Sequence, residues 1–183
     1  DILEQLYAHI VSTVKEHPSK YIGFSVFSYF THKIVVELIL RLQQAGLDDR
    51  IVLGGRGVTA TTCDAVNDLL TLTPADLEMD FGDLMVKLNL VQHVIRGDGE
   101  DAVVEFLQQG SITPEPVFIE ELGSHWPDYS DYDFEQYIWA KGQRHLSVTG
   151  SHGCVRACDF CDIGKQFGRY KFKDGVRLAN ELI

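Results

Sequence analysis

The chain has 183 residues, enough for one large domain or two small ones, and its 45% hydrophobic and 23% charged residues exclude a disordered or fibrous protein. No apolar run approaches the roughly 20 residues that span a bilayer, and the N-terminus lacks the basic, apolar, small-residue order of a signal peptide, so a cytoplasmic protein without a membrane partner is expected. The net charge of −11 is uneven: residues 141–183 hold eight Lys and Arg against four Asp and Glu, leaving −15 for residues 1–140, which disfavours nucleic acid as a ligand of the first part.

Residues 2–15 place Leu3, Leu6, Ile10 and Val14 at helical spacing, and Pro18 closes the segment. Residues 21–27 form a nearly unbroken apolar and aromatic run, which predicts a central parallel strand covered on both faces. A second helix is expected over residues 32–45, ended by Gly46. A short strand over 51–53 then runs into Gly54, Gly55, Arg56 and Gly57, with a helix predicted over 62–72. The stretch 72–88 has no clear assignment. A further strand over 90–95 leads through Gly97, Asp98, Gly99 and Glu100 to a helix over 101–109. Glu100 either caps that helix or faces a ligand.

Strands alternating with helices predict an α/β domain, a Rossmann-like doubly wound parallel sheet, over residues 1–110. Pro114, Pro116 and Pro127 among acidic and small residues mark 111–143 as a linker. Residues 144–149 read as the first strand of a second domain, 144–183, with a helix beginning near Asp174. The chain starts at Asp1 rather than Met and ends at Ile183 inside a helical pattern, so it is expected to be a fragment.

Three of the four cysteines lie in the segment Cys154-Val155-Arg156-Ala157-Cys158-Asp159-Phe160-Cys161, and Cys63 stands apart. This is not a disulfide framework. Thiolates are the soft ligands that iron-sulfur clusters require. Three of them bind three irons of a four-iron, four-sulfur cluster and leave the fourth iron open to an external ligand. The alternative is a structural zinc site completed by His152. His9, His17, His32, His93, His125 and His145 form no spaced cluster and read as surface or polar packing residues.

The form CxxxCx(aromatic)C, preceded by Ser151, His152 and Gly153 and followed by Asp162, Ile163 and Gly164, resembles the signature of the radical S-adenosylmethionine superfamily. His152 departs from the arginine often found at that position. The resemblance implies a 4Fe-4S cluster on Cys154, Cys158 and Cys161, S-adenosylmethionine chelated at the open iron and cleaved to a 5'-deoxyadenosyl radical, and Phe160 near the adenine. It also implies that residues 144–183 begin a partial (β/α) barrel. An electron donor such as flavodoxin or ferredoxin and a small-molecule or peptide substrate are the partners it implies.

Residues 18–110 resemble the cobalamin-binding domain that often precedes such a barrel, on Ser25 at a strand end, Gly54 and Gly55 after the next strand, and Gly97, Gly99 and Glu100 before the last helix. In open α/β sheets ligands sit beyond the carboxyl ends of the strands, where these segments fall. No DxHxxG segment supplies a cobalt-ligating histidine, and a first strand and its loop are expected to be missing. The GxGxxG spacing of a dinucleotide site is absent. The expected function is therefore a cobalamin-dependent radical enzyme carrying out methyl transfer, cyclisation, rearrangement or methylthiolation. The competing expectation is a truncated, non-catalytic module that carries cobalamin or a cluster.

Overall fold

The computed structural model describes residues 2–47, 50–112, 115–118, 122, 127–130, 132–136, 147–156, 158, 159, 161, 163 and 167–182. The chain divides into two compact units, Asp1–Val117 and Phe118–Ile183. Among the described residues no helix is long and apolar enough to cross a membrane.

The first unit is built on three parallel strands, β1 (Ile22–Ser25), β2 (Ile51–Gly54) and β3 (His93–Val94), in the order β1-β2-β3. Ile22 registers with Ile51, Ser25 with Gly54, and Leu53 with Val94. The central strand among these is β2, and Ile51, Val52 and Leu53 are all buried, as a strand covered on both faces demands. The run 21–27, expected to be central, instead lies at the edge of the described sheet. Its apolar residues alternate: Val26 is fully buried, whereas Phe27 is 80% exposed, and Gly23 and Ser25 occupy the open face.

Alternation along β2 divides the core. Ile51 and Leu53 pack with Val36, Ile39 and Leu42 of α2 (His32–Gln44) and with Phe81, Leu84 and Met85 of a short helix after β2. Val52 points the other way, into a cluster with Ile95, Ala102 and Phe106. Helices therefore cover both faces. Each fully buried aliphatic side chain here contributes about 1.5–3 kcal/mol.

The N-terminal helix α1 (Ile2–Glu16) forms as its periodicity predicts, but its covered stripe is shifted. Tyr7 is buried with Val11 and Val14 partly covered, while Leu3 and Leu6 are each 46% exposed. Arg41 of α2 accounts for the shift. Its guanidinium donates to Glu4 at 2.8 and 3.0 Å and to Glu37 at 2.7 Å and lies over the Tyr7 ring at 4.7 Å, drawing that face inward.

The connection from β2 to β3 departs most from expectation. The predicted helix over 62–72 is only a 3₁₀ turn, Asp64–Asp68, and two helices occupy the unassigned stretch: α3 (Pro74–Leu77) and α4 (Phe81–Lys87). A capping box fixes the start of α3, with Thr73 and Asp76 exchanging bonds and Pro74 in the first turn. The Lys87 ammonium, followed by the Thr73 bonds, holds the Asp76 carboxyl well below the ordinary carboxylate range.

After β3 the helix α5 runs Gly99–Gln109, with Asp98 at its N-cap and Gly110 ending it at φ 74°. The chain does not then leave as a linker. Val117 accepts from the Asp98 amide at 2.7 Å and donates to Arg96 O at 3.1 Å, forming a parallel bridge to Gly97 beside β3. Residues to Val117 thus belong to the first unit.

In the second unit, β4 (Ser151–His152) pairs antiparallel with β5 (Lys171–Phe172), and α6 (Gly175–Glu181) follows, capped by Asp174. The predicted strand over 144–149 falls partly outside the described residues, and 147–149 are not extended into a ladder. Lys173 and Glu181 form a buried ion pair, and the Lys173 amide donates to Gly150 O at 2.9 Å.

His32 is fully buried at the start of α2, stacked on Phe81 with ring centroids 3.9 Å apart. Its Nε2 donates to Gly57 O at 2.9 Å, and its Nδ1 accepts from the Cys63 amide at 3.2 Å. A proton at Nδ1 would set two donors against each other, and burial pushes the imidazole below its ordinary value of 6.5. The unfolded chain therefore takes up a proton at higher pH than the folded protein. Stabilisation is complete above pH 6.5 and is lost as pH falls through the folded value, at up to about 1.4 kcal/mol per unit. Urea unfolding between pH 8 and 5 should show this slope, and His32→Gln should flatten it; an unchanged slope in the variant would assign the dependence elsewhere.

Gly97 holds φ 84°, and a Cβ there would lie 2.0 Å from Val117 O. Gly97→Ala should cost about 2–3 kcal/mol, from the left-handed conformation and the displaced strand together. A urea midpoint equal to wild type would show that the Val117 pairing contributes nothing.

Candidate functional site

Two places bear on function, one in each unit. In the first, the parallel strands deliver their carboxyl ends side by side. Ser25 ends β1 opposite Gly54, and Gly55 follows at φ 89°. The Ile95 amide donates to Leu53 O at 2.7 Å, which brings the segment leading to Gly97 alongside Gly54. The predicted set Ser25, Gly54, Gly55, Gly97 and Gly99 thus collects at one end of one sheet.

The chain itself uses the space that two of these glycines provide. A Cβ on Gly55 would meet Val26 O at 2.7 Å, and Gly97 is backed by Val117. Glycine is required at both positions by neighbouring backbone alone. Gly99 opens α5, and Glu100 sits exposed within its first turn, where its charge suits the helix dipole; the N-cap is Asp98 rather than Glu100.

Sequence reasoning missed the pair that ties these loops together. Arg56, after β2, bonds Asp98, after β3, at 3.2 Å, with Asp98 only 3% exposed. The only sequence signal was a pair of opposite charges in the glycine-containing segments after two of the strands. Arg96 is likewise held by Asp83 of α4. Both cations at this end are thereby engaged by carboxylates.

A further feature unanticipated by sequence is the loop after β1. The Gly57 amide donates to Val26 O at 2.7 Å while Gly57 O accepts from the His32 ring, so one residue anchors both flanks of residues 27–31. Within the loop, the Thr31 amide and hydroxyl both donate to Ser28 O, at 3.0 and 2.7 Å.

In the second unit the cysteine loop is carried between β4 and β5. Cys154 and Cys158 are exposed and Cys161 is half-buried, all as free thiols. The Arg156 amide donates to Cys154 Sγ at 3.4 Å, and the Cys161 amide donates to Cys158 O at 3.1 Å. Among the described residues, no three His, Cys, Asp or Glu side chains converge on a point that could hold a metal ion. The residue types still suit an iron-sulfur cluster: three thiols on one loop, two of them exposed and one half-buried, with a backbone N–H donated to Cys154 Sγ. Phe160, Asp162 and Gly164 lie outside the described residues. His152 packs edge-on against Phe167, with ring centroids 5.5 Å apart.

No protein-family model matches the chain. No solved structure matches it. Among curated proteins, the anaerobic magnesium-protoporphyrin IX monomethyl ester cyclase of Rubrivivax gelatinosus is 25% identical over 105 residues, 57% of this chain and 18% of the cyclase. The chain therefore spans less than a fifth of that relative's length. At the coarsest level, the similarity supports a distant relationship to radical S-adenosylmethionine enzymes.

Proposed function

We propose that this chain is part of a radical S-adenosylmethionine enzyme, with Cys154, Cys158 and Cys161 holding a 4Fe-4S cluster. The observation that carries the reading is the trio of thiols in one loop at CxxxCx(aromatic)C spacing. Supporting it are the amide donated to Cys154 Sγ and the distant likeness to the cyclase. When bound, such a cluster supplies the electron that cleaves S-adenosylmethionine.

The chain's own residues bind and orient. The three thiolates would hold three irons, with the Arg156 amide donated to the Cys154 sulfur. Phe160, next to Cys161 in sequence, would lie near the adenine. His152, turned against Phe167, braces the strand that enters the loop. An external donor such as flavodoxin or ferredoxin provides the reducing equivalent, and the cysteine unit begins the partial barrel.

In the first unit, the reading places cobalamin beyond the carboxyl ends of β1, β2 and β3, against Ser25, Gly54, Gly55, Gly97, Gly99 and Glu100. The reaction is a radical transformation of a carbon skeleton. Methyl transfer and cyclisation are its leading forms, the second favoured by the relative's name.

Anaerobic reconstitution with iron and sulfide should give a brown, reducible protein. Replacing any one of Cys154, Cys158 or Cys161 by Ala should lower retained iron at least about tenfold. Stoichiometric zinc without a reducible species would overturn the reading.

A further inference from the structure

We infer that Lys173 and Glu181 are positioning residues of the cysteine loop: their buried ion pair locks the base from which Cys154, Cys158 and Cys161 rise, and so sets how tightly and how uniformly a cluster is held. This rests on the cluster reading above.

A charge pair shut away from water is a poor source of stability, because the desolvation of two ions offsets most of their attraction. What it offers over apolar packing is direction. Its two ends must meet in one arrangement, whereas apolar contact is non-directional and tolerates sliding. The Lys173 and Glu181 side chains are only 6% and 4% exposed. Glu181 is engaged on both oxygens, Oε2 by the Lys173 ammonium and Oε1 by the Tyr129 hydroxyl at 3.5 Å. Among the described residues no buried side-chain nitrogen or oxygen is left without a partner, so the pair is fully accommodated where it lies.

Its contacts lead to the stem of the loop. Lys173 follows β5 directly and precedes Asp174, the cap of α6, so its ammonium ties the last turn of α6 to the end of that strand. The backbone N–H of the same lysine donates at 2.9 Å to O of Gly150, the residue before β4. Gly150 also faces α6, since a Cβ there would touch Leu178 Cδ2 at 3.7 Å. The strand entering the loop, the strand leaving it and the helix that follows are thus joined around one buried pair.

From there the constraint runs to the first thiol. β4 and β5 pair through Ser151–Phe172 and His152–Lys171. Gly153, next in the chain, lies so close to the Arg169–Tyr170 backbone that a Cβ would stand 3.0 Å from Arg169 O. Cys154 follows immediately. Residues that orient metal ligands from outside typically change metal affinity by about tenfold or more when replaced.

The test compares the wild-type chain with Lys173→Met/Glu181→Leu, which fills similar space without charge, and with Lys173→Arg, which keeps the pair. Each is reconstituted anaerobically with iron and sulfide. The rate at which a ferrous chelator strips the iron and the electron paramagnetic resonance of the dithionite-reduced cluster are then measured, with the urea midpoint reporting on the fold. The apolar pair should keep the wild-type urea midpoint, yet release iron at least about tenfold faster and give a broadened resonance. Lys173→Arg should keep the release rate within about twofold of wild type and the resonance narrow. If the apolar pair does not fold, Glu181→Gln, which retains the shape and removes the charge, should release iron at least about threefold faster. Release rate and resonance equal to wild type in these variants would overturn the positioning role while leaving the cluster reading standing. A lowered urea midpoint with an unchanged cluster would do the same, assigning the pair to stability alone. A wild-type chain that takes up no cluster would overturn both.

Discussion

One glycine residue organises the carboxyl end of the sheet in the first unit. The N–H of Gly57 reaches back to Val26 and its carbonyl receives the His32 ring, so a single turn after β2 fixes both the exit from β1 and the entry to α2. Because His32 also accepts from Cys63 and stacks on Phe81, the same imidazole ties the start of α2 to the segment 57–63 and to α4. Buried polar groups of this kind stabilise a fold only when every donor and acceptor is matched, and here the neutral tautomer matches them.

Much of the first unit was legible. Apolar periodicity located the two helices before β2 and the three strands of the first unit, and the helix expected over 101–109 begins two residues earlier, at Gly99. Periodicity was less informative about cover. In residues 21–27, Gly23 and Ser25 already carried the alternation of the open face, whereas the edge position of β1 follows from strand order, which no local window reports. The short helices of the β2–β3 connection had a local signal in Thr73-Pro74-Ala75-Asp76, but it was obscured by an apolar pattern too brief to count. The Arg56–Asp98 bond and the Val117 bridge are contacts over long sequence separation, which no local window reports.

The two candidate sites differ in how sequence encodes them. The cysteine site is written in residue chemistry, since three thiols at close spacing have few other uses. Its geometry is not legible in the same way, because convergence of the sulfurs depends on the bound group as well as the chain. At the sheet end the reverse holds. Ser25 and the glycines gain significance only from topology, and two of the glycines are already required by neighbouring backbone.

The β4–β5 pairing carries a thermodynamic consequence. Ser151 opposite Phe172 and His152 opposite Lys171 close the stem of the cysteine loop with no metal present. Closure entropy grows with the length of chain whose ends must meet, and the stem has removed that distance. Gathering the three sulfurs around the proposed cluster would then require only rearrangement above a finished base, and a larger share of each metal–sulfur bond's free energy would be left to appear as affinity.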